Sequence, residues 1–485
     1  MADQGKHFRK DRKRILVLGA GFGGLAFAQN FKHPKADLLV IDRQNHHLFQ
    51  PLLYQVATAG LAATDIAQPI RSILSKRRDI TTLMGEVSGF DLDHHIVRLI
   101  DGKEIEFDYC VLALGAQTSY FGNDHWARWA PGLKTNDDAK AIRRMVLKNV
   151  ERAEALPDDP RVPALLRLVI IGGGPTGVEL AGAFSELFRQ MFDKDFRHLH
   201  ADQPEIHLYD ASDRLLAAYD EDLSASAESQ LAELGVEIHK NMLAKDIEQG
   251  KVTFQDGTVV ETENIIWTAG VAPGDWTQQL GVPTDKTGRI KVEPDLSLPG
   301  YPSIFALGDL IHLVDAKGQP LPGVAQTAIQ TGKHIAKLIE DEAEQGRPTP
   351  PNLREKFVYN DLGMMATIGR SRAIAQKGDL KLKRYPAWLA WLFIHLIFLV
   401  GFRNRVSVLT EWFYNYVAFR SGARLITGQD KTFIGPINRL TSMRADIEFA
   451  REQHEADGAS GSYPESQTDA AAKPVPAPDP EKQGD

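Results

Sequence analysis

Two runs of glycine, each followed at a distance by an aspartate, are where this chain first shows chemistry. RILVLGAGFGGLAFAQNF carries Gly19, Gly21 and Gly24, and RLVIIGGGPTGVELAGAF carries Gly172, Gly174 and Gly177. In each run the first glycine permits a tight turn, the second lets backbone N–H groups approach a pyrophosphate, and the third lets a helix pack closely on a strand. Asp42 closes ADLLVID about twenty residues after the first run, where a carboxylate can accept hydrogen bonds from a ribose. Asp210 closes EIHLYDA in the same sense, although FSELFRQMFDKDFRHLH widens the interval. An acid there favours NADH over NADPH, whose extra phosphate it would repel; the alternative is that Asp210 only caps a turn.

Further candidates sit where apolar strands end: Gly115 in YCVLALGAQTSY, Gly270 in NIIWTAGVAP, and Gly308 with Asp309 in YPSIFALGDL. Asp309 can also cap the helix that follows. Glu179 stands just past the second glycine run, where a helix N-terminus favours an acid. Gln326 and Gln330, in AQTAIQ, lie four apart on one helical face, with Ala325, Ala328 and Ile329 as small apolar walls. Cys110 is the sole cysteine, which excludes disulfides within the chain, a CxxC redox pair and cysteine-rich metal sites; inside an apolar strand it reads as a small core residue. His46 and His47 are adjacent on a loop with no further ligand cluster, so no metal is expected.

The elements that must position these residues follow from patterning. Four apolar residues precede each glycine run, as a buried parallel strand requires, and apolar helical spacing through Leu25, Ala28 and Phe31 follows the first. A chain of 485 residues, 43% hydrophobic and 25% charged, has room for several α/β domains. Its net charge of −8 gives no reason to expect nucleic acid. The N-terminus, MADQGKHFRKDRKR, lacks the apolar core of a secretory signal, which predicts a cytoplasmic protein. After about Glu452 the chain has almost no bulky apolar groups and reads as a disordered tail.

Two dinucleotide motifs with a late GD resemble the two-dinucleotide-binding-domain flavoproteins. DRQNHHLFQPLLYQVATAGL, GVAQTAIQTGKH and GFRNRVSVLTEWFYNYVAFRSGARLI narrow the resemblance to the type II NADH dehydrogenases, from about Arg14 to Ile426. The resemblance implies an α/β fold with FAD in one Rossmann-type domain and NADH in a second, inserted one. The expected division is 12–135 and 296–355 for the FAD domain, the latter with the quinone-site helix. The NADH domain is expected at 136–295, a C-terminal membrane-anchoring region of amphipathic helices at 356–450, and the disordered tail at 451–485.

By the same resemblance Asp309 contacts the FAD ribityl or phosphate region, and Ala325, Gln326 and Gln330 line a quinone pocket. Glu179 lies between nicotinamide and quinone, where a carboxylate orients the cofactor or relays protons. The implied activity passes two electrons from NADH through FAD to a membrane quinone without proton pumping. A soluble NADH-dependent reductase of an electron-carrier protein and an NADH-responsive binding protein are the alternatives. Disulfide and sulfide:quinone reductases are excluded by the single cysteine.

WLAWLFIHLIFLVGFRNRV is apolar for about fifteen residues, about 22 Å of helix against roughly 30 Å of hydrocarbon. It lies in a stretch, Arg370 to Arg424, with ten Lys or Arg against two acids. Lys381, Lys383, Arg384, Arg403 and Arg405 flank it, and Trp388, Trp391, Trp412, Tyr414 and Tyr416 are scattered around it. Cationic flanks and amphipathic aromatic rings suit a lipid interface. Val406, Leu409, Phe413, Tyr416 and Val417 share a helical face, with Ser407, Thr410, Glu411 and Asn415 on another. The expectation is a monotopic anchor on the cytoplasmic face of the cell membrane; a core helix or a homodimer contact is the competing reading.

Overall fold

The computed structural model describes residues 8–9, 12–315, 318–418 and 424–426. The predicted tail, the rest of the C-terminal region after 426, and the side chains of Asn415, Tyr416 and Val417 lie outside the described residues.

The first segment supplies β1 (Lys13–Leu18), α1 (Phe22–Asn30), β2 (Ala36–Asp42), α2 (Leu53–Ala57), β3 (Ile80–Met84) and β4 (Tyr109–Leu112). The middle segment supplies α3 (Asn136–Ala155), β5 (Arg167–Ile171), α4 (Pro175–Asp195), β6 (Glu205–Tyr209), α5 (Glu221–Glu233), β7 (Val236–His239) and β8 (Asn264–Trp267). After it come β9 (Tyr301–Ala306), α6 (Ala325–Gln345), β10 (Met364–Gly369), β11 (Arg372–Lys377) and β12 (Leu380–Lys383). Helices α7 (Arg384–Phe398) and α8 (Phe402–Ala418) complete the described chain.

One parallel sheet has the order β9–β4–β1–β2–β3, so the late strand β9 completes a sheet begun at the N-terminus. A second parallel sheet has the order β7–β6–β5–β8. Apolar strands such as Ile15 to Leu18 and Leu168 to Ile170 are fully buried because both faces of a parallel sheet are covered. The chain leaves the first sheet and returns to it through a short antiparallel pair, Gln117–Thr118 against Val271–Ala272.

Two crossings depend on the absence of a side chain. A Cβ on Gly332 of α6 would stand 2.4 Å from the carbonyl oxygen of Gly23 in α1, and one on Gly182 of α4 would stand 1.6 Å from that of Ile368 in β10. The second crossing presses the antiparallel sheet β10–β11–β12 against the helix that follows the second glycine run. Arg354 bridges within the first half: it pairs with Asp295 at 3.0 Å and Glu342 at 2.8 Å, all three buried, and Tyr109 donates to Glu342 at 2.7 Å.

The C-terminal helices correct part of the interfacial reading. Trp388, Trp391 and Trp412 are buried, because Trp391 stacks on His395 and the Trp412 indole N–H donates to Gln55 at 2.8 Å. The flanking cations are also largely spoken for. Lys381 pairs with Asp220 and Asp222, Lys383 with Asp222, and Arg384 with Glu233, which fastens β12 to α5. Arg405 donates to the carbonyls of Ile397 and Leu399 at the end of α7. What these helices turn outward is mostly apolar: Leu389, Phe393, Ile397, Phe398, Leu409 and Phe413 are exposed, with Tyr385, Tyr414, Arg403 and Arg405 exposed beside them, while Val408 is buried. No helix among the described residues is long and apolar enough to cross a membrane.

Candidate functional site

Each glycine run forms an open cradle at a helix N-terminus. Gly19 has φ +97°, and its Cβ would strike the Ala113 carbonyl at 2.3 Å, so only glycine brings β1's turn against β4's. A Cβ on Gly24 would lie 1.9 Å from the Gly19 oxygen, whereas one on Gly21 would meet nothing within 4 Å. The second run repeats this: Gly172 abuts Ala269, Gly177 abuts the Gly172 carbonyl, and Gly174 faces open space. Neither α1 nor α4 has a side-chain cap, so their first N–H groups face the space in front of Gly21 and Gly174. Uncapped N–H groups beside an open concavity suit a pyrophosphate.

Asp42 and Asp210 hold these loops. Asp42 accepts from the Ala20 N–H at 2.6 Å and the Gln44 N–H at 2.7 Å; Asp210 accepts from the Gly173 N–H at 2.5 Å and the Ser212 N–H at 2.7 Å. Each acid therefore holds its own turn, the role weighed for Asp210 as the alternative to ribose binding and not foreseen for Asp42. Gly115, with φ +67°, opens onto free space after β4. Gly308, with φ +66°, follows β9 and rests on Ala328 of α6, and Asp309 beside it is half-buried. Gly270 packs on Phe121 in the crossing between the sheets.

A cavity of about 120 Å³ brings the two halves together. It is lined by Gln50, Leu53 and Tyr54 from the first segment, and by Thr176, Glu179 and Trp267 from the second, with Gly270 at its edge. Glu179 is half-buried, with its carboxyl deep and receiving a hydrogen bond from the Thr367 backbone. Burial pushes this carboxyl up to about 8 against that stabilising bond. Such a displacement from the usual carboxylate range is on the order of 5 kcal/mol, well above the ~0.3–1 kcal/mol that a helix N-terminus contributes to an exposed acid. Burial outweighs the Thr367 bond and favours the protonated form of Glu179. Buried Tyr219 is also raised, first by burial and then by the neighbouring Glu179.

The two glutamines of α6 part company. Gln330 is clasped to the backbone of Asn360, donating to its carbonyl at 2.9 Å and accepting from its N–H at 3.0 Å. The Gln326 amide has no hydrogen-bond partner among the described residues. Ala325 opens the helix and, like Gln326, is half-buried. Tyr54 and Gln55 form a connection that the sequence did not signal. Gln55 donates to the Tyr54 hydroxyl at 2.8 Å while accepting from Trp412, so α8 is tied to the cavity wall. His47 is buried and bonded to the Ala20 carbonyl at 3.0 Å, and His46 contacts Asn45 and Asn136. Cys110 is buried in β4, which pushes its thiol up and leaves it unreactive.

Two parallel sheets, each with a glycine cradle at its carboxyl edge, and a shared cavity between them define a dinucleotide-binding oxidoreductase. Residues 13–332 match the family model of pyridine nucleotide-disulphide oxidoreductases. The chain is 38% identical over 448 residues to the type II NADH:quinone oxidoreductase Ndh of Mycobacterium tuberculosis, covering 90% of this chain and 95% of that protein. It is 38% identical to NdhA of the same organism over 86% of this chain and 90% of that one. Among solved structures, NDH2 of Plasmodium falciparum in complex with NADH superposes with a TM-score of 0.77 at 18% identity, over 86% of this chain and 100% of that chain. The chain belongs to the type II NADH:quinone oxidoreductases.

Proposed function

We propose that this protein oxidises NADH and delivers the electrons to a membrane quinone, with FAD in the first cradle and NADH in the second. The observation that carries the reading is the cavity where residues of both halves meet, with Glu179, its carboxyl raised by burial, in its wall. Bound there, FAD supplies a two-electron relay between nicotinamide and quinone. The chain's own residues bind, orient and hold a proton. Uncapped α1 and α4 receive the two pyrophosphates, Asp42 and Asp210 keep the glycine turns shaped for them, and Asp309 borders the first cradle. Glu179 holds a proton within the cavity for transfer to the reduced quinone. Free Gln326 donates a hydrogen bond to a quinone carbonyl, with Ala325 leaving room for the ring. Gln330 positions the helix by its clasp on Asn360.

The exposed apolar face of α7 and α8 seats the protein on the cytoplasmic leaflet, where the quinone dissolves. The reaction so arranged moves no protons across the membrane. The same face is where a second copy of the chain would dock, and vesicle binding by the monomer separates the two uses. Stopped-flow spectroscopy tests the whole reading. NADH should bleach the flavin and a quinone should restore its colour, and Gln326→Leu should slow the second phase more than the first. Reoxidation only by a carrier protein, or equal loss of both phases, would overturn it.

A further inference from the structure

A separate cluster lies on the face of the second sheet turned away from α4 and α5. His207 on β6 and Glu237 and His239 on β7 share this face, since β6 and β7 pair His207 with Glu237 and Tyr209 with His239. His207 Nδ1 is 3.0 Å from His239 Nε2 and 3.4 Å from Glu237 Oε2, and His239 Nε2 is 3.9 Å from that same oxygen. Ligand atoms about 2.0–2.1 Å from a tetrahedral ion stand roughly 3.3 Å apart, and the three separations bracket that edge.

The rings are held in place by their surroundings. His239 lies parallel on buried Tyr209 with 4.3 Å between centroids, and Tyr209 stacks in turn on Phe254 at 4.4 Å. On the far side of His207, Nε2 is 3.4 Å from Glu205 Oε2, a carboxylate fixed by Arg167 at 2.6 Å. A carboxylate there makes Nε2 the protonated nitrogen and leaves the Nδ1 lone pair facing His239 and Glu237.

We propose that His207, Glu237 and His239 bind one borderline divalent cation, with Zn²⁺ the best match and water in the fourth position. Two imidazoles and one carboxylate suit zinc, copper or nickel, whereas calcium and magnesium require oxygen ligands. The ion would take the place of the proton that the two facing ring nitrogens otherwise share. It would also clip β7, the edge strand, to β6 next to Asp210, whose backbone N–H already bonds to the His239 carbonyl at 2.9 Å. The linear sequence hides the cluster because its ligands come from two strands separated by a helix.

The test uses the full flavin-loaded protein, stripped with EDTA and titrated with ZnCl₂ against a chromophoric chelator. One micromolar-class site is expected, unaffected by millimolar Mg²⁺. Glu237→Gln and His239→Asn should each weaken it by about tenfold or more, and Glu205→Gln should weaken it through His207. Glu237 is well exposed, so its replacement leaves folding intact. X-ray absorption should report two imidazoles in the zinc shell. No zinc uptake at micromolar concentration, or uptake indifferent to Glu237→Gln and His239→Asn, would overturn the proposal.

Discussion

Replacing Phe393 and Phe413 together by serine should detach this protein from lipid while leaving its fold intact. Both rings point away from the body of the protein, at 65% and 68% exposure, so their removal opens no cavity. Fully burying a phenylalanine is worth about 1.5–3 kcal/mol. Two-thirds of that value is roughly 1–2 kcal/mol for each ring on entering hydrocarbon, and the pair contributes some 2–4 kcal/mol. At about 1.4 kcal/mol per tenfold, vesicle partitioning should fall by roughly 30- to 700-fold. Leu389, Ile397 and Leu409 remain exposed and supply the residual binding. Co-sedimentation with liposomes measures the partition coefficient, and thermal melting checks that the variant is folded. NADH oxidation with a water-soluble quinone should be unchanged. A folded double variant that still partitions like the parent would refute the assignment of this face to the membrane.

Further outcomes follow from the geometry. Gly21→Ala should fold normally, because its Cβ meets nothing within 4 Å, yet should lose flavin from the purified protein. Gly24→Ala should instead lower the melting temperature, because its Cβ would sit 1.9 Å from the Gly19 oxygen. Glu179, raised to about 8, is protonated below that pH and ionises as pH rises through it, so quinone reduction should decline across that range. Glu179→Gln should flatten the profile and remove a protonated-carboxyl band from the infrared spectrum. Arg354→Met should cost about 3–5 kcal/mol in denaturant unfolding, because it strands buried Asp295 and Glu342 without their cation.

What the sequence disclosed was local in its physics. The glycine turns were legible because a turn, a close approach and a helix start are demands on consecutive residues, and Cys110 because an apolar strand surrounds it. The features it concealed depend on partners far along the chain. From its spacing Glu179 was a helix-start acid that the resemblance set between nicotinamide and quinone, and neither reading disclosed the burial of its carboxyl or its hydrogen bond from the Thr367 backbone in β10. The tryptophans looked interfacial because aromatic composition does not say which face of a helix meets Tyr54 and Gln55. Lys381, Lys383 and Arg384 looked free for headgroups because Asp220, Asp222 and Glu233 lie on a distant helix. Gln326 and Gln330 were indistinguishable until Asn360 was seen to claim one of them.

The late arrival of β9 has a consequence for how the protein is made. In order of synthesis β4 and β1 come early, and the strand that fills β4's other edge, setting Ile304 beside Cys110, comes only after the entire inserted segment, so if β4 pairs with β1 as it emerges its other edge stays bare until then. For that interval the nascent chain displays an unpaired apolar strand, the kind of surface that chaperones capture and that otherwise seeds aggregation. Expression yield should therefore respond to how quickly the insert is synthesised and folds, and slow translation through it should lower the soluble yield.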